Sequence, residues 1–299
     1  MNSKYKIILP ILLLIGVFAI LLWYIAHVDP AVLHPQGPIG KKEAHLIYVT
    51  LGLSATVVIP VFVLLFVFIL KYRDDNPATH HTYQPEWKHG RTAEIIWWII
   101  PTIIITILAV IAWQSSHELD PYRPLDSNKP PLTIQVVSLD WKWLFIYPNE
   151  HVASVNLLEI PENTPIHFYL TSDAPMNSFW IPRLGGQIMT MPGMTTQLYL
   201  LASSTGAFNG YSANISGDGF AGMAFTVRSV SAKAFESWVE TVKETGTPLD
   251  RTVYNELKQP SKYDPVAFYS PIADGLYQWI VTKYMTPTES DIKKNTFTQ

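Results

Sequence analysis

Three groups of residues have the types and spacing to do chemistry. The stretch GYSANISGDGFAGMAF, residues 210–225, has the rhythm of a copper-binding loop: small polar residues at regular intervals, several glycines and a closing methionine. It holds neither cysteine nor histidine, and those supply the soft thiolates and imidazoles that copper centres use. The second group lies in MTMPGM, where Met189, Met191 and Met194 fall close together with Met176 upstream. Thioethers suit Cu(I); methionines also fill irregular contacts in a packed strand and turn. The third is Glu94, a carboxylate just inside a long apolar run. An acid in a first helical turn faces the positive end of the helix dipole, while an acid at a membrane border also suits an ion pathway.

Other chemistries find no residues. The chain has no cysteine, which excludes disulfides, thiolate metal sites, a cysteine nucleophile and a lipidated cysteine. It shows no nucleophile–base constellation, no phosphate-binding glycine loop and no paired histidine ligands, and His80–His81 reads as part of a solvated turn. The formal net charge of −3 hides a split. Up to Trp113 there are eight Lys/Arg against six Asp/Glu; beyond it there are thirteen against eighteen. A soluble part with surplus acid lacks the cationic surface that nucleic acid requires.

The elements that must position these residues fall into two kinds. Three apolar runs crowd the first 113 residues. Residues 7–26 are uncharged and long enough to cross a bilayer. Tyr24 and Ala26 fit a cleavage site poorly, so a retained anchor is expected, though a late-cleaved signal fits the same residues. Residues 46–70 and 93–113 read as transmembrane helices; each carries one proline, Pro60 and Pro101, tolerable where neighbouring helices satisfy the freed carbonyl. Trp97, Trp98 and Trp113 stand where interfacial anchors do. Lys4, Lys6, Lys71, Arg73, Lys88 and Arg91 outnumber Lys41 and Lys42 of the first connector, which puts the amino terminus and second loop inside and the soluble part outside.

Beyond the proline-rich linker at 119–131 the period changes to two. Ile166, Phe168 and Leu170 alternate with His167, Tyr169 and Thr171, as in a half-buried strand. Further β-rich runs broken by Pro, Gly, Asn and Asp predict an antiparallel sandwich or barrel over about a hundred residues. From Ala232 a helical pattern returns, with Ala234, Phe235, Trp238 and Val242 on one face and Gly246 as a stop. A second amphipathic segment is expected over 270–285, and a disordered tail over the last dozen residues.

Two membrane helices leading into an outer β-sandwich, with VVSLDWKWLFIYP, MNSFWIPRLG and GDGFAGMAF in that order and KYR after the second span, resemble subunit II of the haem–copper respiratory oxidases. The resemblance covers roughly residues 37–230, and its copper-less bo-type ubiquinol oxidase branch fits best. In copper-bearing members the loop reads C-x3-C-x3-H-x2-M, with another histidine upstream. On that spacing Ser212 and Ser216 take the thiolate positions, Phe220 the histidine, Met223 the methionine and Asn177 the upstream histidine. Trp141 matches the aromatic through which copper-containing relatives receive electrons from cytochrome c, a role void without copper behind it. Asn214 stands where some relatives place a glutamate ligand for magnesium, and Val28 and Asp29 stand near the place of a lipobox cysteine.

The resemblance implies a membrane helical hairpin, preceded by the N-terminal hydrophobic segment (1–36 and 37–118). An all-β cupredoxin-like domain without copper (119–231) and a C-terminal helical extension with a tail (232–299) would follow. It implies a non-redox subunit with no cofactor of its own, bracing a subunit I that holds the haems and copper. The complex would be a proton-pumping oxidase of ubiquinol in a bacterial inner membrane, with the soluble domain in the periplasm. Glu94 matches a subunit II glutamate near the mouth of a proton-uptake path. A membrane-anchored copper carrier using the methionines is the rival expectation.

Overall fold

The structure, a computed structural model, describes residues 27–72 and 90–285, with Gly16, Ala19, Ile20, Trp23, Tyr24 and Glu86 as isolated positions. Most of the first apolar run, the His80–His81 turn and the last fourteen residues lie outside the described residues. The chain divides into two compact units: 1–30 with 44–118, and 31–43 with 119–299.

The first unit is built on two long helices, α1 (Pro38–Lys71) and α2 (Arg91–Glu118). At 1.5 Å per residue they run about 51 and 42 Å, long enough to cross a hydrocarbon core of ~30 Å. Their side chains are apolar all round. Ile59, Val63, Trp98 and Ile105 are each more than half exposed, the pattern of a helix whose solvent is lipid or a neighbouring helix. The hydroxyls of Thr56, Thr102 and Thr106 donate to carbonyls three or four residues back, so these polar groups are satisfied inside the helix. Both prolines are accommodated without ending it.

The second unit is a two-sheet sandwich. Its strands are β1 (Leu132–Leu139), β2 (Lys142–Tyr147), β3 (Val152–Val155), β4 (Leu157–Pro161), β5 (Ile166–Ser172) and β6 (Asn177–Trp180). They continue with β7 (Ile188–Thr190), β8 (Thr196–Leu200), β9 (Gly206–Ser212), β10 (Ala224–Val230), β11 (Thr247–Leu249) and β12 (Ala267–Ile272). One sheet has the order β11-β12-β3-β2-β1-β5-β8, the other β4-β10-β9-β6-β7. The pairing is mixed rather than antiparallel throughout: β1 with β5, β4 with β10, and β11 with β12 run parallel. The first two parallel pairs arise because the chain crosses to the other sheet before returning, and β11 joins β12 through the helix at Arg251–Leu257, connections that no local pattern encodes.

Between the sheets, Trp143, Phe145, Phe168, Phe179 and Phe225 form the main core. Trp143 meets Phe179 and Phe225 edge to face at 5.3 and 5.8 Å, an arrangement that aromatic quadrupoles favour. The outer face of the seven-stranded sheet is also covered. Three helices follow β10: α3 (Ala232–Thr245), α4 (Arg251–Leu257) and α5 (Leu276–Thr282). Leu249, Tyr254, Leu276, Tyr277, Ile280 and Val281 pack there against Val137, Leu144 and Val155. His167 and Thr171, expected at a solvent face, are buried as well: His167 stacks on Tyr199 at 4.0 Å and hydrogen-bonds Gln197, and Thr171 donates to the Met191 carbonyl, while β2 is buried at every position.

The C-terminal region departs from a purely helical extension. It adds β11 and β12 to the large sheet, β12 pairing with β3, so residues 270–272 are strand and the helix of that segment starts only at Leu276. On α3 the buried face is Phe235, Val239 and Val242, with Trp238 partly buried. Ala234 is exposed, outside the stripe that Phe235, Trp238, Val239 and Val242 form at helical spacing, and its N–H is taken by the N-cap hydroxyl of Ser231 at 3.3 Å. Residues 31–43, placed by sequence before the membrane helices, belong to the second unit. Gly40 N–H donates to the Leu184 carbonyl at 2.9 Å, and Glu43 accepts from Gly186 N–H at 2.8 Å.

Candidate functional site

The copper-like loop spans the end of β9, the connection from Ala213 to Met223 and the start of β10. β9 and β10 pair in register, Gly210 opposite Phe225, and a Cβ at Gly210 would collide with that ring. Glycine is thus required for packing there, independently of any ligand. Ser212 N–H donates to the Met223 carbonyl at 3.1 Å, closing the loop at its neck, and Ala213 N–H donates to the Ser178 carbonyl at 2.9 Å.

Within this frame the five positions that the family spacing singles out fall at one end of the sandwich, engaged with one another or with the core except for the Ser216 hydroxyl, which is buried without a hydrogen-bond partner. The Asn177 side chain is buried, donates from Nδ2 to the Pro175 carbonyl at 2.8 Å and accepts the Ser212 hydroxyl at 3.1 Å. Met223 is 2% exposed and packs in the core. Phe220 opens a single 3-10 turn that closes on Met223 N–H. Ser216 offers its carbonyl to the Trp141 indole N–H at 3.4 Å. Two hydroxyls, an amide, a phenyl ring and a thioether turned into the core do not make a donor set for copper. Among the described residues no group of three His, Cys, Asp or Glu is arranged to hold a metal ion. Asn214 is engaged as well, donating to the Met176 carbonyl at 2.7 Å.

Trp141 departs from the other aromatics of its strand. Trp143, Phe145 and Tyr147 are fully buried, whereas Trp141 sits half-buried in the β1–β2 turn at φ 67°, a left-handed conformation uncommon for a bulky residue. The methionines divide too. Met176 and Met194 are exposed, Met189 and Met191 half-buried on β7 and the turn after it, without a histidine or cysteine beside them. Glu94 lies in the first turn of α2, its N–H donating to the Gly90 carbonyl at 2.9 Å.

Two buried ionic centres escaped the sequence. Asp173, at the end of β5, takes the Tyr254 hydroxyl at 2.8 Å, the Lys283 ammonium at 2.6 Å and the Tyr284 hydroxyl. Burial, then the Asp173 charge, pushes the Tyr254 phenol far up. Lys142 is 3% exposed. Its Nζ donates to the carbonyls of Leu257 and Gln259 at 3.0 and 3.2 Å and to the Ser261 hydroxyl, and pairs with Asp264 at 3.2 Å. Alternation points Lys142 away from the core, so only the segment laid over it explains its burial.

The comparisons agree with this anatomy. The family model described as cytochrome c oxidase subunit II, transmembrane domain, matches residues 35–114; that of its periplasmic domain matches 150–230; the COX aromatic rich motif matches 243–288. The chain is 49% identical over 252 residues to cytochrome bo(3) ubiquinol oxidase subunit 2 of Pseudomonas putida, covering 84% of this chain and 80% of that one. The chain belongs to this family, subunit II of the bo-type ubiquinol oxidases. The same-named protein of Pseudomonas aeruginosa is 46% identical over 86% of this chain and 77% of its own. Ubiquinol oxidase subunit 2 of Acetobacter aceti is 46% identical over 85% and 82%. Membership makes the chain one subunit of an oxidoreductase complex, with partner oxidase subunits. It gives the two apolar helices the place of the family's membrane domain and the sandwich that of its periplasmic domain.

Proposed function

We propose that this chain is the copper-less, non-redox subunit II of a proton-pumping terminal oxidase that takes electrons from ubiquinol and reduces oxygen to water. The observation that carries the reading is the Asn177–Ser212 hydrogen bond with Met223 turned into the core: the loop keeps its closed shape through bonds that a copper centre would have to break. Quinol delivers electrons inside the bilayer, so no periplasmic metal relay is needed. The haems and copper belong to subunit I. The chain crosses the inner membrane more than once and braces subunit I, with its sandwich on the periplasmic side.

Purification through a C-terminal tag, followed by oxygen uptake with ubiquinol and then with reduced cytochrome c, tests this. Uptake with ubiquinol alone is expected from a haem-bearing preparation. Uptake with cytochrome c would reassign the electron donor, and a preparation with copper but no haem would favour a thioether copper carrier built on Met176, Met189, Met191 and Met194.

Glu94 acts, in this reading, at the entrance of a proton-uptake path. It is a carboxylate in the first turn of α2, at the border of an apolar helix, where an ionisable group is costly unless it serves. Glu94→Ala is expected to slow oxygen reduction by about a hundredfold, the lower end of the ~10²–10⁴ range that a positioned proton-transfer group reaches, while the subunits still co-purify. Turnover equal to the parent would remove Glu94 from the path.

A further inference from the structure

The glycine-rich part of the loop is gripped from outside. Gly217 and Gly219 lie flat beneath the Trp141 indole: a Cβ at Gly217 would stand 3.2 Å from Trp141 Cζ2, and one at Gly219 would overlap the ring. Gly222 lies beneath Tyr263 in the same way, with a Cβ position 2.7 Å from its Cε1. Both rings project from left-handed backbone, Trp141 at φ 67° and Tyr263 at φ 58°. Such conformations persist only where surrounding contacts over-determine them.

The contacts that do so come from the C-terminal extension. Lys142, the residue after Trp141, gathers Leu257, Gln259, Ser261 and Asp264 around its ammonium. The Ser261 hydroxyl closes on Asp264 at 2.6 Å, and the Asp264 carbonyl accepts from Asn156, whose own Oδ1 receives Trp143 N–H. Lys262 stands 5.7 Å from the Trp141 ring centroid, within cation–π reach. One buried ammonium therefore fixes at once the turn that carries Trp141 and the segment that carries Tyr263.

We propose that residues 257–264 form a strap, fastened by Lys142, that holds the 216–222 loop in shape through Trp141 and Tyr263. External aromatic bracing takes the part that ligand bonds from within would play in a metal-holding loop, so the inference rests on the copper-less reading of the site. Trp141 and Tyr263 are positioning residues, with no contact to a reacting group. The aromatic-rich C-terminal region thereby has a task in the sandwich itself, coupling the C-terminal extension to a loop some forty residues upstream.

Hydrogen exchange on the purified oxidase complex tests the strap, read at the amides of Ala213, Phe220, Gly222 and Met223, all of which donate to carbonyls in or beside the loop. Tyr263→Ala is the leading variant, because a side chain on a residue that is 73% exposed leaves without opening the core. It is expected to speed exchange at these amides by about tenfold, Tyr263→Phe to keep the parent rate, and Lys142→Met to match or exceed Tyr263→Ala. Faster exchange confined to residues 250–285, with the loop amides as protected as in the parent, would overturn the strap. If Lys142→Met does not assemble, Tyr263→Ala decides alone. Oxygen uptake with ubiquinol on the same preparation reports separately on the function: a complex silent toward ubiquinol whose loop loosens would sink that reading and leave the strap standing.

Discussion

Phenylalanine behaves oppositely in the two units. In the sandwich, Phe145, Phe168 and Phe179 have no exposed surface, whereas Phe62 and Phe68 on α1 are 50% and 53% exposed. The residue type is the same and the solvent differs. Water drives aromatic rings into the space between two sheets; a bilayer offers no such gradient, and a ring may face outward at no cost. Burial therefore measures stabilisation in one unit and says little about it in the other.

The sharpest way to break this contrast is truncation on both sides of it. Phe179→Ala removes a ring that packs against Trp143, Phe145, Phe168 and Phe225, and is expected to cost about 3–5 kcal/mol in denaturant unfolding followed at the sandwich. Phe62→Ala should leave that transition within about 0.5 kcal/mol of the parent. Equal losses would mean that α1 is packed as a water-soluble helix.

A smaller effect tests the lipid side directly. Val58→Arg, near the middle of α1, is expected to lower membrane insertion by the equivalent of about 2.5–3.5 kcal/mol, read as the fraction of chain in the membrane pellet. Ser204→Arg, on an exposed loop of the sandwich, should change nothing in the same assay. Insertion of the Val58 variant at parental levels would place that position against a polar surface.

The smallest effect concerns charge. Glu159 is paired with Arg228 at 3.4 Å, and its side chain is 2% exposed. Burial raises its carboxyl above the ordinary 4.5, partly countered by Arg228. The folded state then binds more protons than the unfolded one between the two pKa values. The corresponding stability is complete below pH 4.5 and lost as the pH climbs through the raised value. Glu159→Gln is expected to flatten its share of that decline in a plot of unfolding midpoint against pH. Asp140 and Glu150, also raised by burial, keep theirs. A midpoint that rises across this window in the parent would show the Arg228 pairing outweighing burial.

Much of this was legible in residue order, and the exceptions share a cause. The two long apolar helices, the sandwich and the donor-less loop follow from local pattern and from residue types that are missing. The inward set Ile166, Phe168 and Leu170 was legible for the same reason. The burial of His167 and Thr171 was not, because a period of two reports one apolar face and cannot announce that Tyr199, Gln197 and the Met191 turn will cover the other. Lys142 escaped for that reason too. Its alternation points it outward, and the strap that covers it begins more than a hundred residues later. On α3, Ala234 and Val239 exchanged places because Phe235, Trp238, Val239 and Val242 complete one stripe at spacings of three and four, and Ala234 falls outside it.

The sequence by itself determined what this chain cannot do: without a cysteine, and without a histidine beyond His167, no copper centre is available to its loop, since donor atoms are fixed by residue type wherever the chain goes. It also determined the two apolar helices, because twenty or more uncharged residues have few places to go other than a bilayer. The tertiary structure alone decided how the donor-less loop keeps its form, that Asp173 and Lys142 are buried, and that the C-terminal region is a second face of the sheet. Those outcomes depend on contacts between residues eighty to a hundred and twenty positions apart. Closing such distances is favourable only when the whole fold closes them together.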